Sequence, residues 1–261
     1  MKGMIHKTVT ISKTANIDPS VEIGPYSIIG ENVIIKKNTV IGPYTFIEHS
    51  EIGENCKISN HVSLGNPGQD VKYKGQKTKV VVGNNCIIRE FATIHRGSIT
   101  EMTKVGNDCF LMAYSHVGHD SRIGNGVVMA NCASLGGHVV IEDRAIIGAL
   151  AGMHQFARVG RLSILGGGTI ASQDVIPYTM SHGNHSKLYG LNRIGLVRAG
   201  FSKQTIDNIK YAYRTLFHSK LPFQKALSIL EGEVKQLGPE VKHMLDFIRT
   251  TQRGICHPPK K

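Results

Sequence analysis

Apolar residues recur at every sixth position over most of the chain. They run Ile11, Ile17, Ile23, Ile29, Ile35, Ile41, Ile47 and, after a one-residue slip, Ile52, Ile58 and Leu64. A short run follows at Val82, Ile88 and Ile94. The longest begins at Val105 and passes through Leu111, Val117, Ile123, Met129, Leu135, Ile141, Ile147, Met153 and Val159 to Leu165. All 24 positions hold Ile, Leu, Val or Met, and glycine directly follows in 13 of them. In the longest run the fourth residue after each is small or β-branched, from Cys109 and Ser115 to Ser163 and Thr169.

A period of six fits neither the alternation of a simple strand nor the 3.6-residue repeat of a helix. It fits a three-sided coil, a hexapeptide-repeat parallel β-helix over about residues 11–170, with a short strand and a corner from each hexad. The apolar residue points inward, the small residue fits beside it, and glycine is expected to take the corner conformation. Three hexads close a coil of 18 residues, so residues 18 apart lie above one another. At roughly 4.8 Å per strand, about eight coils make a prism roughly 38 Å long. Periodicity leaves the hand of the coil open.

Two polar segments break the register, 66–79 (NPGQDVKYKGQKTK) and 97–104 (GSITEMTK). Segments that leave a rigid solenoid are where function concentrates. The hexads end near Tyr178, and from Phe201 the pattern turns helical, with Ile206, Ile209, Tyr213, Leu216 and Phe217 on one face and Ser202 as N-cap. Further helices are expected at 223–237 and 240–253, introduced by Pro222 and Pro239 and stopped at Gly254. The division is a mainly β domain at 1–191 and a C-terminal α-helical domain at 192–261 that covers the open end of the solenoid.

Composition narrows the picture. Aromatic residues are 6%, Trp is absent and there are 29 Gly, so the core is filled by small and aliphatic side chains. Five cysteines, odd in number and without a C-x-x-C pair, read as reduced space-fillers. No run is apolar enough to span a bilayer and the N-terminus lacks a signal-peptide core, which points to the cytoplasm and to no stable membrane insertion. The net charge is +12, and residues 192–261 hold 13 Lys or Arg against 5 Asp or Glu. That bias suits an acidic partner; no nucleic-acid motif accompanies it.

The coil length gives meaning to the 13 histidines. One coil on from His119 is position 137, beside His138; one coil on from His138 is 156, two from His154; two coils on from His116 is 152. The four therefore cluster along one edge, where a single histidine would read as structural. His119 is followed by Asp120, the pairing of a general base with a carboxylate that orients it. Gly136-Gly137 offers backbone N–H groups to a developing oxyanion, although such a pair also suits a plain corner. The H-x-x-H of His116 and His119 is a metal alternative without a third ligand at clear spacing.

The ordered motifs QDVKYKG (69–75), IHRGS (94–98), SHVGHD (115–120), GGHV (136–139), HQF (154–156), QDVIPY (173–178), GNH (183–185) and RAGFS (198–202) resemble the acyl-carrier-protein-dependent UDP-N-acetylglucosamine O-acyltransferases, first enzymes of lipid A biosynthesis. The resemblance spans nearly the whole chain. It implies a left-handed coil, a homotrimer with sites between subunits, no metal or cofactor of its own, and transfer of a (3R)-3-hydroxyacyl group from acyl carrier protein to the sugar 3-position. His119 matches the general base, Asp120 its orienting carboxylate and the Gly137 N–H the oxyanion donor. Gln69, Asp70, Lys72, His116, His138, His154 and Gln155 match positions that hold the sugar nucleotide or acyl chain. Gly167 and His185 match the acyl-length ruler, and a glycine at 167 implies a chain at the longer end of the family range. Asn192 and Arg198 match nucleotide-binding positions. The chain departs from the family pattern at Ile194, where many members have glutamate, and at Ala199, where they have a second arginine. The acceptor stays open between a 3-hydroxyl and a 3-amino sugar. The rival readings are a coenzyme A-dependent acyltransferase, a β-helical zinc carbonic anhydrase and a non-catalytic scaffold.

Overall fold

The computed structural model describes residues 3–259. Each of the 24 apolar positions lies in a strand, usually of two residues, as in Ile28–Ile29 and Ile146–Ile147, whose first side chain faces out and second faces in. All are buried except Ile11 and Ile17 in the first coil. Pairing that is parallel throughout, save for one antiparallel strand at the end of the third sheet, stacks the strands into three sheets of nine, eight and ten strands among the described residues. The first sheet begins at Thr10–Ile11, the second at Asn16–Ile17 and the third at Glu22–Ile23. Equivalent residues are 18 apart in regular coils, as between Asn107 and Asn125, but 30 apart across the first insertion and 23 across the second. The inserted residues leave the coil after Asn66 and after His95 and return at Lys79 and at Met102.

The three edges of the prism differ in content. The edge between the first and second sheets carries both insertions and then His119-Asp120, Gly137-His138 and Gln155-Phe156. The edge between the second and third sheets is an asparagine ladder, in which Asn107 N donates to Asn125 Oδ1 at 2.9 Å and Asn125 N to Asp143 Oδ1 at 2.7 Å. The edge between the third and first sheets carries a stack of Tyr26, Tyr44, His61, Phe91 and Tyr114, with ring centroids 4.7–5.2 Å apart.

Glycine plays a different part from the one its position suggests. The left-handed backbone at a corner falls two residues later, on residues such as Asn32, Tyr114, Asp120 and His138, with φ of 54–60°. The glycine after the apolar residue is there because the next coil's backbone is too close for a side chain. A Cβ on Gly42 would lie 2.6 Å from Asn60 N, and one on Gly106 2.6 Å from Gly124 O.

Past the last coil, an antiparallel hairpin (Thr179–His182 with Lys187–Leu191) leads to four helices among the described residues. These are α1 (Arg193–Arg198), α2 (Lys203–His218), α3 (Phe223–Leu237) and α4 (Pro239–Arg249). Ser202 caps α2 as expected, accepting from Thr205 N at 3.1 Å. The hairpin and α1 carry no hexad or long helical period and are not foreseen by the pattern. The last helix stops four residues short of the expected Arg253. Thr251 Oγ1 instead donates to Asp174 Oδ2 at 2.7 Å, and Asp174 N donates to Gly254 O at 2.8 Å, so the final coil pulls the tail out of helical geometry. Two clamps join helices to solenoid. Tyr178 OH donates to His243 Nδ1 at 2.9 Å, whose Nε2 lies 3.1 Å from Glu142 Oε2. Arg158 donates to Asp174 Oδ2 at 2.8 Å and to Phe247 O at 2.7 Å, with its guanidinium 4.0 Å over the Phe247 ring.

Candidate active site

Asp120 is 4% exposed and His119 7%. Burying a carboxylate is costly unless it is hydrogen-bonded, and the second insertion supplies the bonds. Ser98 N donates to Asp120 at 3.0 Å, Thr100 N at 2.7 Å and Thr100 Oγ1 at 2.6 Å, while Asp120 N donates to Thr103 Oγ1 at 2.8 Å. Burial by itself raises the pKa of Asp120, but the bonds from Thr100, His119 and Ser98 outweigh it and hold the carboxyl down at about 2. An ionised carboxylate only accepts, so the 2.7 Å contact to His119 Nδ1 places the imidazole proton there and leaves Nε2 as a lone pair.

One coil on, the corner holds Gly137, and a Cβ there would collide with the Nε2 side of the His119 ring. Gly137 O accepts from Phe156 N at 3.1 Å, whereas its N–H has no acceptor among the described residues. His138 stacks on Phe156 at 4.5 Å, meets the His119 ring edge-on at 5.3 Å, and places Nε2 3.5 Å from Asp120 Oδ2. Burial pulls the pKa of His138 below its ordinary value, with Asp120 and Asp70 pulling the other way. His116 faces out from the first sheet beside this corner, bonded through Nδ1 to Thr93 Oγ1 at 2.8 Å. Its burial, helped by His95 and His119, brings its pKa to about 4. Both are neutral hydrogen-bonding groups near pH 7.

The first insertion carries exposed Gln69 and Lys72 and half-buried Asp70, whose charge reaches His138. It is held down by Arg96, which donates to Glu48 Oε1 and Gly65 O at 2.7 Å each and to Tyr73 OH at 2.8 Å. Gly68 sits so close that a Cβ would lie 2.9 Å from His119 Cβ. His154 and Gln155 are exposed on the coil beyond His138. Arg96, Gly68, Ser98, Thr100, Thr103 and Phe156 escape sequence reasoning; only Phe156, 18 residues past His138, was within reach of the coil arithmetic.

The remaining candidates lie elsewhere. Gly167 is at the edge between the third and first sheets, and His185 follows Asn184, which pairs with Ile170 of the first sheet. Asn192 is buried and caps α1, accepting from Gly195 N at 3.0 Å and donating to Leu162 O at 2.8 Å. With Arg198, Arg144, Arg193 and Ile194 it lines a cavity of about 670 Å³ on the third sheet, floored by Val128, Ile146, Ile164 and Met180. Within one chain, Asn192 and Arg198 therefore sit on a different face from His119. Among the described residues, the three side chains whose ligand atoms come together closely enough to hold a metal ion are His119, Asp120 and His138, a set without His116. Its carboxylate is already spent on Ser98, Thr100 and His119.

Residues 102–137 match the family model for the bacterial transferase hexapeptide (six repeats), and residues 2–78 the GMPPB C-terminal domain. Repeat and left-handed coil are those of a transferase of hexapeptide type. Residues 174–256 match the model described as Udp N-acetylglucosamine O-acyltransferase, Domain 2. The acyl-(acyl-carrier-protein)–UDP-N-acetylglucosamine O-acyltransferase of Thermodesulfovibrio yellowstonii is 49% identical over 209 residues, 79% of this chain and 81% of that one. The enzyme of the same name from Burkholderia lata is 43% identical over 210 residues, 78% and 80% of the two chains. The solved UDP-N-acetylglucosamine acyltransferase of Francisella novicida superposes with a TM-score of 0.95 at 37% identity, covering 98% of this chain and 95% of that one. The chain belongs to the UDP-N-acetylglucosamine O-acyltransferase family.

Proposed function

We propose that the protein transfers a (3R)-3-hydroxyacyl group from the thioester of acyl carrier protein to the 3-hydroxyl of UDP-N-acetylglucosamine, the opening step of lipid A biosynthesis. The observation that carries this reading is the bare Nε2 of His119, backed by ionised Asp120 and set beside the unpaired N–H of Gly137. His119 takes the sugar hydroxyl proton as the oxygen attacks the thioester carbonyl. The tetrahedral oxyanion forms against the Gly137 N–H, and the collapse returns the proton through His119 to the departing thiolate. A thioester is already activated, so orientation, one base and one oxyanion donor suffice, with no resident metal or cofactor.

Asp70, Lys72, Gln69, His116, His138, His154 and Gln155 hold the sugar nucleotide or acyl chain around this edge. From His116, beside the His119 corner, the outward face of the first sheet presents Ser134, Gly152 and Ile170, a path of small and apolar residues toward Gly167 and His185, which set the acyl length. The face bearing Asn192 and Arg198 serves the His119 edge of a neighbouring copy in a homotrimer, which reconciles their separation within one chain. The basic residues of 192–261 receive the acidic carrier protein in the cytoplasm.

The test is to incubate the protein with 3-hydroxyacyl carrier protein or acyl-coenzyme A, and with UDP-N-acetylglucosamine or its 3-amino analogue, and to weigh the product. An ester made only from carrier protein and the 3-hydroxyl sugar is expected; turnover only with coenzyme A or the amino sugar sinks the assignment. A Cβ on Gly167 would lie 3.3 Å from Ala149 O and 3.9 Å from Ala149 N, a tight approach that a shift of a few tenths of an ångström relieves, and the φ at Gly167 is not in the left-handed region. Gly167→Met should fold and shift preference to a shorter acyl chain, read by donor competition. Unchanged preference removes the ruler.

A further inference from the structure

We propose that Arg253 is a positioning residue that decides which ring nitrogen of His154 carries the proton. Its guanidinium Nη2 lies 3.1 Å from His154 Nδ1, across 99 residues of chain. A guanidinium only donates, so this contact requires a lone pair on Nδ1 and puts the imidazole proton on Nε2. The same Nδ1 is 3.0 Å from the carbonyl oxygen of Gln155. A carbonyl only accepts, so that contact requires the proton on Nδ1. The two neighbours select opposite tautomers, and a charge-assisted bond is about twice as strong as a neutral one, which gives the choice to the arginine.

The tail is built to hold the guanidinium there. On one side Thr251 Oγ1 donates to buried Asp174 Oδ2 at 2.7 Å; on the other Asp174 N donates to Gly254 O and Cys256 N to Asp174 O, each at 2.8 Å. Arg253 Nε itself reaches Ser172 O at 3.4 Å. The early end of α4 thus delivers a cation to the coil beyond His154, on the edge that carries His119 and His138. With Arg253 in place, His154 Nε2–H is a donor suited to a hydroxyl, carbonyl or phosphate oxygen; without it Nε2 becomes an acceptor. The consequence for turnover rests on the reading of His154 as a substrate contact.

Ring nitrogen-15 shifts of His154 in full-length, ligand-free protein near neutral pH, assigned by loss in His154→Gln, read the tautomer directly. The wild type should show Nε2–H, Arg253→Met should show Nδ1–H, and Arg253→Lys should restore Nε2–H. In turnover, Arg253→Met should raise KM for one substrate about tenfold with kcat within about twofold, and Arg253→Lys should recover most of it. Nδ1–H in the wild type, or an unchanged tautomer in Arg253→Met, overturns the inference; the wild-type measurement stands even where the variant fails to fold. A tautomer switch that leaves both KM values unmoved upholds the role of Arg253 and sinks the reading of His154 as a substrate contact.

Discussion

The histidine edge and the aromatic edge are built on the same corner geometry. Asp120 and Tyr114 both have φ of 60°, and each meets the corner residue of an adjacent coil, Tyr114 stacking on Phe91 and Asp120 lying 3.5 Å from His138 Nε2. On the aromatic edge the side chains lean on each other and face water, with Tyr26, Tyr44 and Tyr114 more than half exposed. On the histidine edge the insertions fold back over the corner, so Asp120 is buried, oriented and kept ionised. A regular coil supplies positions; the breaks in it supply chemistry.

The largest effect that tests this contrast is on turnover. His119→Ala should lower kcat by about 10³-fold, whereas His61→Ala, a histidine in the aromatic stack, should leave it unchanged. Equal losses in the two variants break the comparison. Gly137→Ala comes next, because its methyl occupies the space of the His119 imidazole and turns the base out of line. A loss of about 10²-fold in kcat with little change in melting temperature is expected.

Asp120→Asn addresses stability as well. The carboxyl titrates at about 2 in the folded chain against 3.8 in the unfolded one, so its stabilisation is fully present above about pH 4 and lost as pH falls through about 2. The wild type should exceed Asp120→Asn by about 2 kcal/mol near pH 6, and denaturant unfolding should show that gap closing toward pH 2. A gap independent of pH means the carboxylate is not held down by its partners. Smallest is Tyr114→Ala, which ends the aromatic stack one ring early and should cost about 0.5–1.5 kcal/mol with turnover unchanged.

Much of the site is legible in the chain because the solenoid turns sequence distance into height. The 18-residue coil brings His119, Gly137 and His138 together on paper as they are in space. The arithmetic fails where the register breaks. Ser98, Thr100 and Thr103 lie in a segment with no period, so nothing in their spacing aims them at Asp120. It fails again for glycine, where one residue type serves two needs: the pattern suggests a strained corner, and the structure shows a close approach between coils.

By itself the sequence determined the period, the inward column, the edge on which the histidines meet and the family resemblance, since each is a local or strictly repeating property. Only the tertiary structure decided that the second insertion wraps the carboxylate, that Asn192 and Arg198 look out from another face, and that Arg253 returns to His154. Those arrangements join segments with no shared period, drawn in by buried groups such as Asp120 and Asp174 that still needed partners once the coils were stacked.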